Sequence, residues 1–331
     1  MADTNSQVNG KYGMLNKDIV ELLQEYEYSY FREDKPIPFC GLTIYPIQVR
    51  DFEVFSHCAS CFTLNKNEDP KGITMSHLDY LLSRTQLADQ EEARLWSYKI
   101  HKIIELVFHL QNGLKCKKCG KIIAYSDQAF VDFANQLQEF ATKQIENLED
   151  EKEIAPPLLT CPECGGTEFS EMFKAVKDES GKYSLVIDGH TITKQDFNKL
   201  RQIVLYQNFY DYADESWIDP AVKRDHDEKM RLEQQRNDLH ASIEKKVVCL
   251  SITTPYKIDE IYDMSIRHFT LALATVDDLI NYKIMKQAVM GGFASLPKGK
   301  TIEHWIYKPN KDIYGDSYKS TDSVQEAVSN L

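Results

Sequence analysis

No run of the chain approaches the roughly 18–20 uncharged apolar residues that a membrane-spanning helix needs. The opening stretch, MADTNSQVNGKYGM, lacks the apolar centre of a secretory signal. Both absences lead us to expect a soluble protein in a reducing compartment, where its 8 cysteines bind metal or stay free instead of pairing as disulfides. Positive charge is also in deficit. The formal balance is −12, so the molecule as a whole repels DNA, RNA and anionic membrane, and neither membrane nor nucleic acid is an expected partner. A phosphate-binding loop, GxGxxG, GxSxG and HExxH are all missing. The acids show no motif spacing, and Asp188-Gly189-His190 reads as a turn with a lone histidine. The chain is therefore read as non-enzymatic, with no catalytic residue assigned. It has no internal repeat and no low-complexity tract.

What is present suffices for two or three cores, since 42% of the 331 residues are apolar. Residues 1–14 read as a polar, mobile arm, and 15–113 as a helical N-terminal domain with a short extended element. Ile19, Leu22, Leu23 and Tyr26 recur at helical spacing and predict a helix over Asn16–Phe31. Pro36, Pro38 and Pro46 punctuate a β-rich run, Phe39–Ile47, expected to form a short strand or extended pair. Helices are predicted over 51–64, Met75–Leu82 and Glu91–Leu110, the last ending on Gly113 as its C-cap.

The segment 114–190 changes character. Cys116-Lys-Lys-Cys119-Gly and Cys161-Pro-Glu-Cys164-Gly repeat one design, in which two thiols on a tight turn face one ion. The trailing glycine permits the left-handed backbone that closes the turn. Two such turns supply four sulfurs, the number tetrahedral zinc takes in a closed structural site. The pattern resembles a zinc ribbon, and its implied cofactor is a structural Zn2+ on Cys116, Cys119, Cys161 and Cys164. Between the turns, Phe130, Phe133, Leu137, Phe140 and Leu148 mark a helix capped by Ser126 and stopped at Pro156-Pro157, an arm that leaves the paired turns and returns. A β-hairpin turning near Asp178–Gly181 follows. A third pair, Cys58 and Cys61, lies within a predicted helix without a trailing glycine and reads as buried, unliganded thiols. Cys40 and Cys249 are expected in the core.

Residues 191–309 read as a helical C-terminal domain and 310–331 as a tail. A helix is predicted from Thr193 through Tyr206, then a charged, solvated helix over 219–246 with seven acids and seven bases. VVCLSI is either a buried strand or the last turns of that helix. A helical module runs over Lys257–Met290, capped by Ser265 and ended by Gly291-Gly292. The aromatics Tyr206, Phe209, Tyr210, Tyr212 and Trp217 fit either a contact surface or a core-lining loop, and so does IEHWIY around Trp305.

Two stretches, PIPFCGLTIYPIQVRDFEVF with NEDPKGITMSHLDYLL, and TPYKIDEIYDMSIRHFTLALATVDDLINYKIMKQAVMGG with IEHWIY, resemble proteins of the tail gene clusters of tailed bacteriophages. The likeness covers about half the chain and carries no catalytic motif. It implies a tail or baseplate component or a tail-assembly protein, partnered by other tail or baseplate proteins. Such a protein works in the host cytoplasm during assembly or resides in the virion. A zinc ribbon between the two stretches departs from that pattern. The alternative is a zinc-ribbon accessory factor that binds nucleic acid or a polymerase through Lys115, Lys117, Lys118 and Lys121. The expected fold is α+β, mainly α, with helical N- and C-terminal parts and an inserted zinc ribbon and β-hairpin.

Overall fold

Polar side chains at helix starts set much of the architecture of the computed structural model, which describes residues 12, 15–146, 156–178, 183–214, 220–236, 241–296, 302 and 304–306. The expectations for the N-terminal arm apart from Tyr12, for Leu148, for Trp217 and for the 310–331 tail lie outside the described residues.

Helix α1 (Lys17–Ser29) turns Ile19 and Leu23 inward. Strands β1 (Ile37–Phe39) and β2 (Leu42–Ile44) form an antiparallel hairpin. Its two turn residues, Cys40 and Gly41, both have positive φ, 48° and 81°, the twist that matches a two-residue hairpin. Cys40 therefore sits exposed on the turn, not in the core. The helix expected over 51–64 is split into α2 (Phe52–Cys58) and α3 (Ser60–Thr63), where the Ser60 hydroxyl donates to the His57 carbonyl. Ser76 caps α4 (His77–Arg84), and Asp89 caps α5 (Gln90–Phe108) by accepting from Glu91 and Glu92. The end of α5 corrects the expectation for Gly113. His109, at φ 51°, takes the left-handed position, and Gly113 instead opens β3 (Gly113–Cys116). A Cβ there would stand 2.2 Å from the Ile123 carbonyl oxygen, so the glycine serves a close strand approach.

β3 pairs with β4 (Ile122–Ala124), and α6 (Gln128–Glu146) follows. The chain returns as β5 (Phe169–Glu171), which pairs with the other edge of β3. Strands β6 (Phe173–Lys177), β7 (Tyr183–Ile187) and β8 (His190–Ile192) form a second antiparallel sheet. Asp188-Gly189, at φ 44° and 81°, makes its tight turn. A capping box, Thr193 with Asp196, starts α7 (Lys194–Asn208).

α7 is buried almost all round from Leu200 to Asn208, which makes it the central helix. Leu23, Phe31, Ile44, Phe55, Phe62, Leu78 and Ile104 share one core with Leu185, Ile187 and Ile192 of the second sheet and with Phe197 and Tyr206 of α7. The sequence pattern grouped α7 with the C-terminal helices and the hairpin with the cysteine turns, whereas the side chains pack both against the N-terminal helices. Periodicity marks which face of an element is apolar but not which partner covers it.

The charged helix α8 spans Pro220–Arg236. Ser242 then caps a separate helix, α9 (Ile243–Thr253), so the expected single helix over 219–246 is interrupted and VVCLSI is helical. Cys249 is exposed on it. α9, α10 (Ile258–Asp263) and the first turns of α11 (Ile266–Met290) enclose a smaller core of Val247, Leu250, Ile261 and Phe269, together with Val49. Ser265 caps α11 as expected, accepting from His268, and the helix stops at Gly291. A short antiparallel bridge ties this module to the N-terminal part. The Val49 amide donates to the Met264 carbonyl at 2.9 Å and the Ile266 amide to the Ile47 carbonyl at 2.8 Å. Arg50 pairs with Asp263 beside it. The fold is α+β and mainly α. No described helix is long and apolar enough to cross a membrane.

Candidate metal centre

The two cysteine turns are built on matching hydrogen bonds. In the first, the Cys116 amide donates to Lys121 O at 2.8 Å and Gly120 donates back to Cys116 O at 2.9 Å. In the second, the Cys161 amide donates to Gly166 O at 2.8 Å and Gly165 to Cys161 O at 2.9 Å. Gly120 and Gly165 take φ 79° and 66°, the left-handed conformation that a glycine after each second cysteine supplies. Gly166 was not singled out by the sequence reading. A Cβ on it would lie 3.2 Å from Cys116 Sγ and 3.3 Å from Cys164 Sγ, so it leaves room for the sulfurs. The Gly165-Gly166 dipeptide was the available signal.

Pairing of β3 with β5 brings the turns face to face. Cys116 Sγ lies 3.6 Å from Cys164 Sγ, and Cys119 Sγ lies 3.5 Å from Cys161 Sγ. All four sulfurs fall within 4.8 Å of one another, and among the described residues this is the one group of metal-binding side chains with such convergence. Sulfurs about 2.3 Å from a central ion in a tetrahedron are separated by ~3.8 Å, close to the spacing seen here and far from the ~2.05 Å of a disulfide. The four cysteines named from the sequence are thus brought together, and they can hold a metal ion.

Local electrostatics favour that use. The backbone N–H of Cys119 holds the Cys116 thiol down, to about 7. For Cys161, burial pushes the thiol up, but the N–H groups of Glu163 and Cys164 outweigh it and the net shift is downward. The N–H of Lys121 favours the thiolate of Cys119, yet the adjacent Cys164 sulfur, burial and the other two sulfurs push that thiol up to about 12. Four sulfurs this close cannot all carry charge unless a cation sits among them, and a divalent ion removes the conflict. With four sulfur ligands no coordination position stays open, which fits a structural role.

The lysines around the first turn each meet a partner. Lys117 pairs with Glu168 at 3.5 Å, Lys121 with Glu163 at 3.1 Å and Lys115 with Asp188 at 2.6 Å, while Lys118 Nζ donates to Cys164 O at 3.3 Å. Acids of the second turn thus neutralise the basic rim of the first. Met172 links the site to the main core, because its amide donates to Gly113 O and its carbonyl accepts from Asp188 N, joining the two sheets through one residue.

α6 starts two residues beyond the expected Ser126 cap, with Asp127 O accepting from Phe130 and Val131. Tyr125 and Phe130 pack with ring centroids 4.8 Å apart, while Val131 and Leu137 along the helix are exposed.

The remaining candidates resolve into structure. Cys58 and Cys61 are buried in the main core, and burial pushes the Cys61 thiol up to about 12. Tyr206 is a core residue, with Phe209 and Tyr212 packed against the same core. The aromatic run therefore lines the core. His304 lies 5.2 Å from the Tyr282 ring and stacks on Trp305.

No protein-family model, curated protein or solved structure matches the chain.

Proposed function

We propose that the protein is a non-enzymatic assembly component whose four sulfurs hold a structural zinc ion in a zinc-ribbon-like subdomain. The observation that carries the assembly reading is α11. Beyond its first turns it leaves Leu271, Ile280, Ile284, Met285 and Met290 exposed, the last by 80%. Phe293 follows it at 92% exposure. A helix apolar on several faces and left in water is a surface for a protein partner. α6 repeats the theme on a smaller scale at the other end of the zinc-stapled segment.

Zinc is favoured by the ligand set. Four thiolates in a closed tetrahedron suit a borderline-soft ion without geometric preference of its own. The subdomain needs such a staple because its strands are three or four residues long and bury little.

The tail or baseplate setting rests on residue pattern. Residues 36–55 and 67–82, and residues 254–292, resemble tail-cluster proteins, and the Gln48–Ser265 bridge joins the two regions in the fold. That gives the likeness one spatial locus instead of two scattered ones. The nucleic-acid alternative needs an unneutralised basic patch, and the ion pairs around Lys115, Lys117 and Lys121 speak against it.

The deciding experiment is co-purification from the native source, comparing wild type with an Ile280→Lys/Ile284→Lys variant. Recovery of tail or baseplate proteins by wild type alone, with both forms equally folded, supports the reading. Recovery of wild type as a bare chain, or steeply salt-dependent binding to DNA or RNA, overturns it.

A further inference from the structure

A cavity of about 380 Å³ lies between the end of α3 and the segment that follows α7, away from the cysteine site. This is within the range of small-molecule pockets, generally about 300–1,000 Å³. Its wall includes Arg201, whose side chain is buried to 4% exposure. A guanidinium is seldom placed so deep unless its five N–H groups are used. Here one Nη donates to Phe62 O at 2.8 Å and the other to Asn198 Oδ1 at 3.3 Å. Nε has no hydrogen-bond partner among the described residues. Asn65 lines the same cavity, and its buried Nδ2 is likewise without a partner, while its Oδ1 is engaged by the Asn67 amide. Two donors on one wall call for acceptor oxygens.

The rest of the lining narrows the ligand. Lys223 adds a second cation, and Asp211 and Asp214 add two acids, so the formal charge of the wall cancels. A multiply charged phosphate ester gains little from a neutral wall. A single carboxylate matches it, with one oxygen for each orphaned donor. Leu64 and Phe209 give the cavity an apolar side for a short hydrocarbon body. We propose that this cavity is a binding site for a small monocarboxylate with an apolar tail, held by Arg201 Nε and Asn65 Nδ2. Its place between α3 and α7 puts it against the main core, so a ligand there steadies the packing of those two elements.

The test uses the full chain with its metal, titrated with sodium benzoate and sodium butyrate, and with inorganic phosphate for comparison. Binding is followed by thermal stability and by the Arg201 Nε–H and Asn65 side-chain NMR signals. The expected result is a saturable shift of both signals with a rise in Tm for the carboxylates and none for phosphate. Arg201→Lys identifies the arginine signal. Because that change also disturbs the contact with Phe62, the decisive variant is Asn65→Asp, which keeps the oxygen that caps Asn67 and replaces the donor by a repelling acceptor. It should retain the wild-type Tm without ligand and bind the carboxylates at least about tenfold more weakly. Absence of a saturable shift up to roughly 10 mM, an equal response to phosphate, or unchanged binding by Asn65→Asp overturns the proposal.

Discussion

Arg267, at the start of α11, donates to Glu27 of α1 at 2.5 Å across 240 positions of sequence, and its other Nη reaches the Tyr206 carbonyl at 2.8 Å. One side chain thus fastens the C-terminal module to both the first helix and the central one. Arg267 is 6% exposed, so its removal strands a carboxylate and a carbonyl in low dielectric. Arg267→Met should lower unfolding stability by about 3 kcal/mol in a urea titration. A loss below about 0.5 kcal/mol would show that the module is held by the bridge at Val49 and Ile266 alone.

Metal removal should act locally. Chelation, or Cys161→Ser, is expected to abolish one bound zinc per chain by elemental analysis and to melt residues 114–170, spread over β3–β5 and α6. Amide exchange in α5 and α7 should stay slow, because their core is separate from the sulfur site. Acid should mimic the chelator, since the ligands must be thiolates and protons compete for them. Slow exchange in β3 and β5 of a metal-free sample would refute the staple.

Gly113→Ala places a methyl group against the Ile123 carbonyl oxygen, in the strand that carries Cys116. Overpacking of this kind costs about 1–3 kcal/mol. The variant should release its metal faster to a chromogenic chelator than wild type, and an unchanged release rate would show that the strands shift apart without loss.

His77 gives a pH dependence of definite sign. Burial, then Arg201, then Lys66 push its imidazolium down to about 3 from an ordinary 6.5. The folded state therefore holds the ring neutral while the unfolded chain takes up a proton below 6.5. Stability is fully present above that value and is lost as pH falls through the window from 6.5 to 3, by up to ~1.4 kcal/mol per unit. His77→Gln should flatten this slope in urea titrations at pH 6, 5 and 4, and an identical slope in the variant would assign the effect elsewhere.

The cysteine site was legible because its chemistry is local. Each turn needs its own two sulfurs, a glycine with positive φ and matching amide bonds, all within six residues. Helix starts were similarly readable where one side chain does the capping, as at Ser265 and Thr193. What stayed hidden was set by distant contacts. Nothing near Gly113 says that Ile123 will approach it, so its role was taken for a cap. The burial of α7 depends on helices more than 100 residues away, and no periodicity in its own sequence assigns them. The break before Ser242 was masked by a balanced run of charges on both sides of it.

The 3.5 Å between Cys119 Sγ and Cys161 Sγ, 42 positions apart, turns everything between them into a closed ring whose ends are fixed independently of its contents. Closing a ring depends only logarithmically on its length, so doubling the insert costs about 0.6 kcal/mol. The arm is thus a cassette. It can be lengthened, shortened or exchanged over evolutionary time while the metal keeps its two ends joined and the remainder of the molecule registers almost no change.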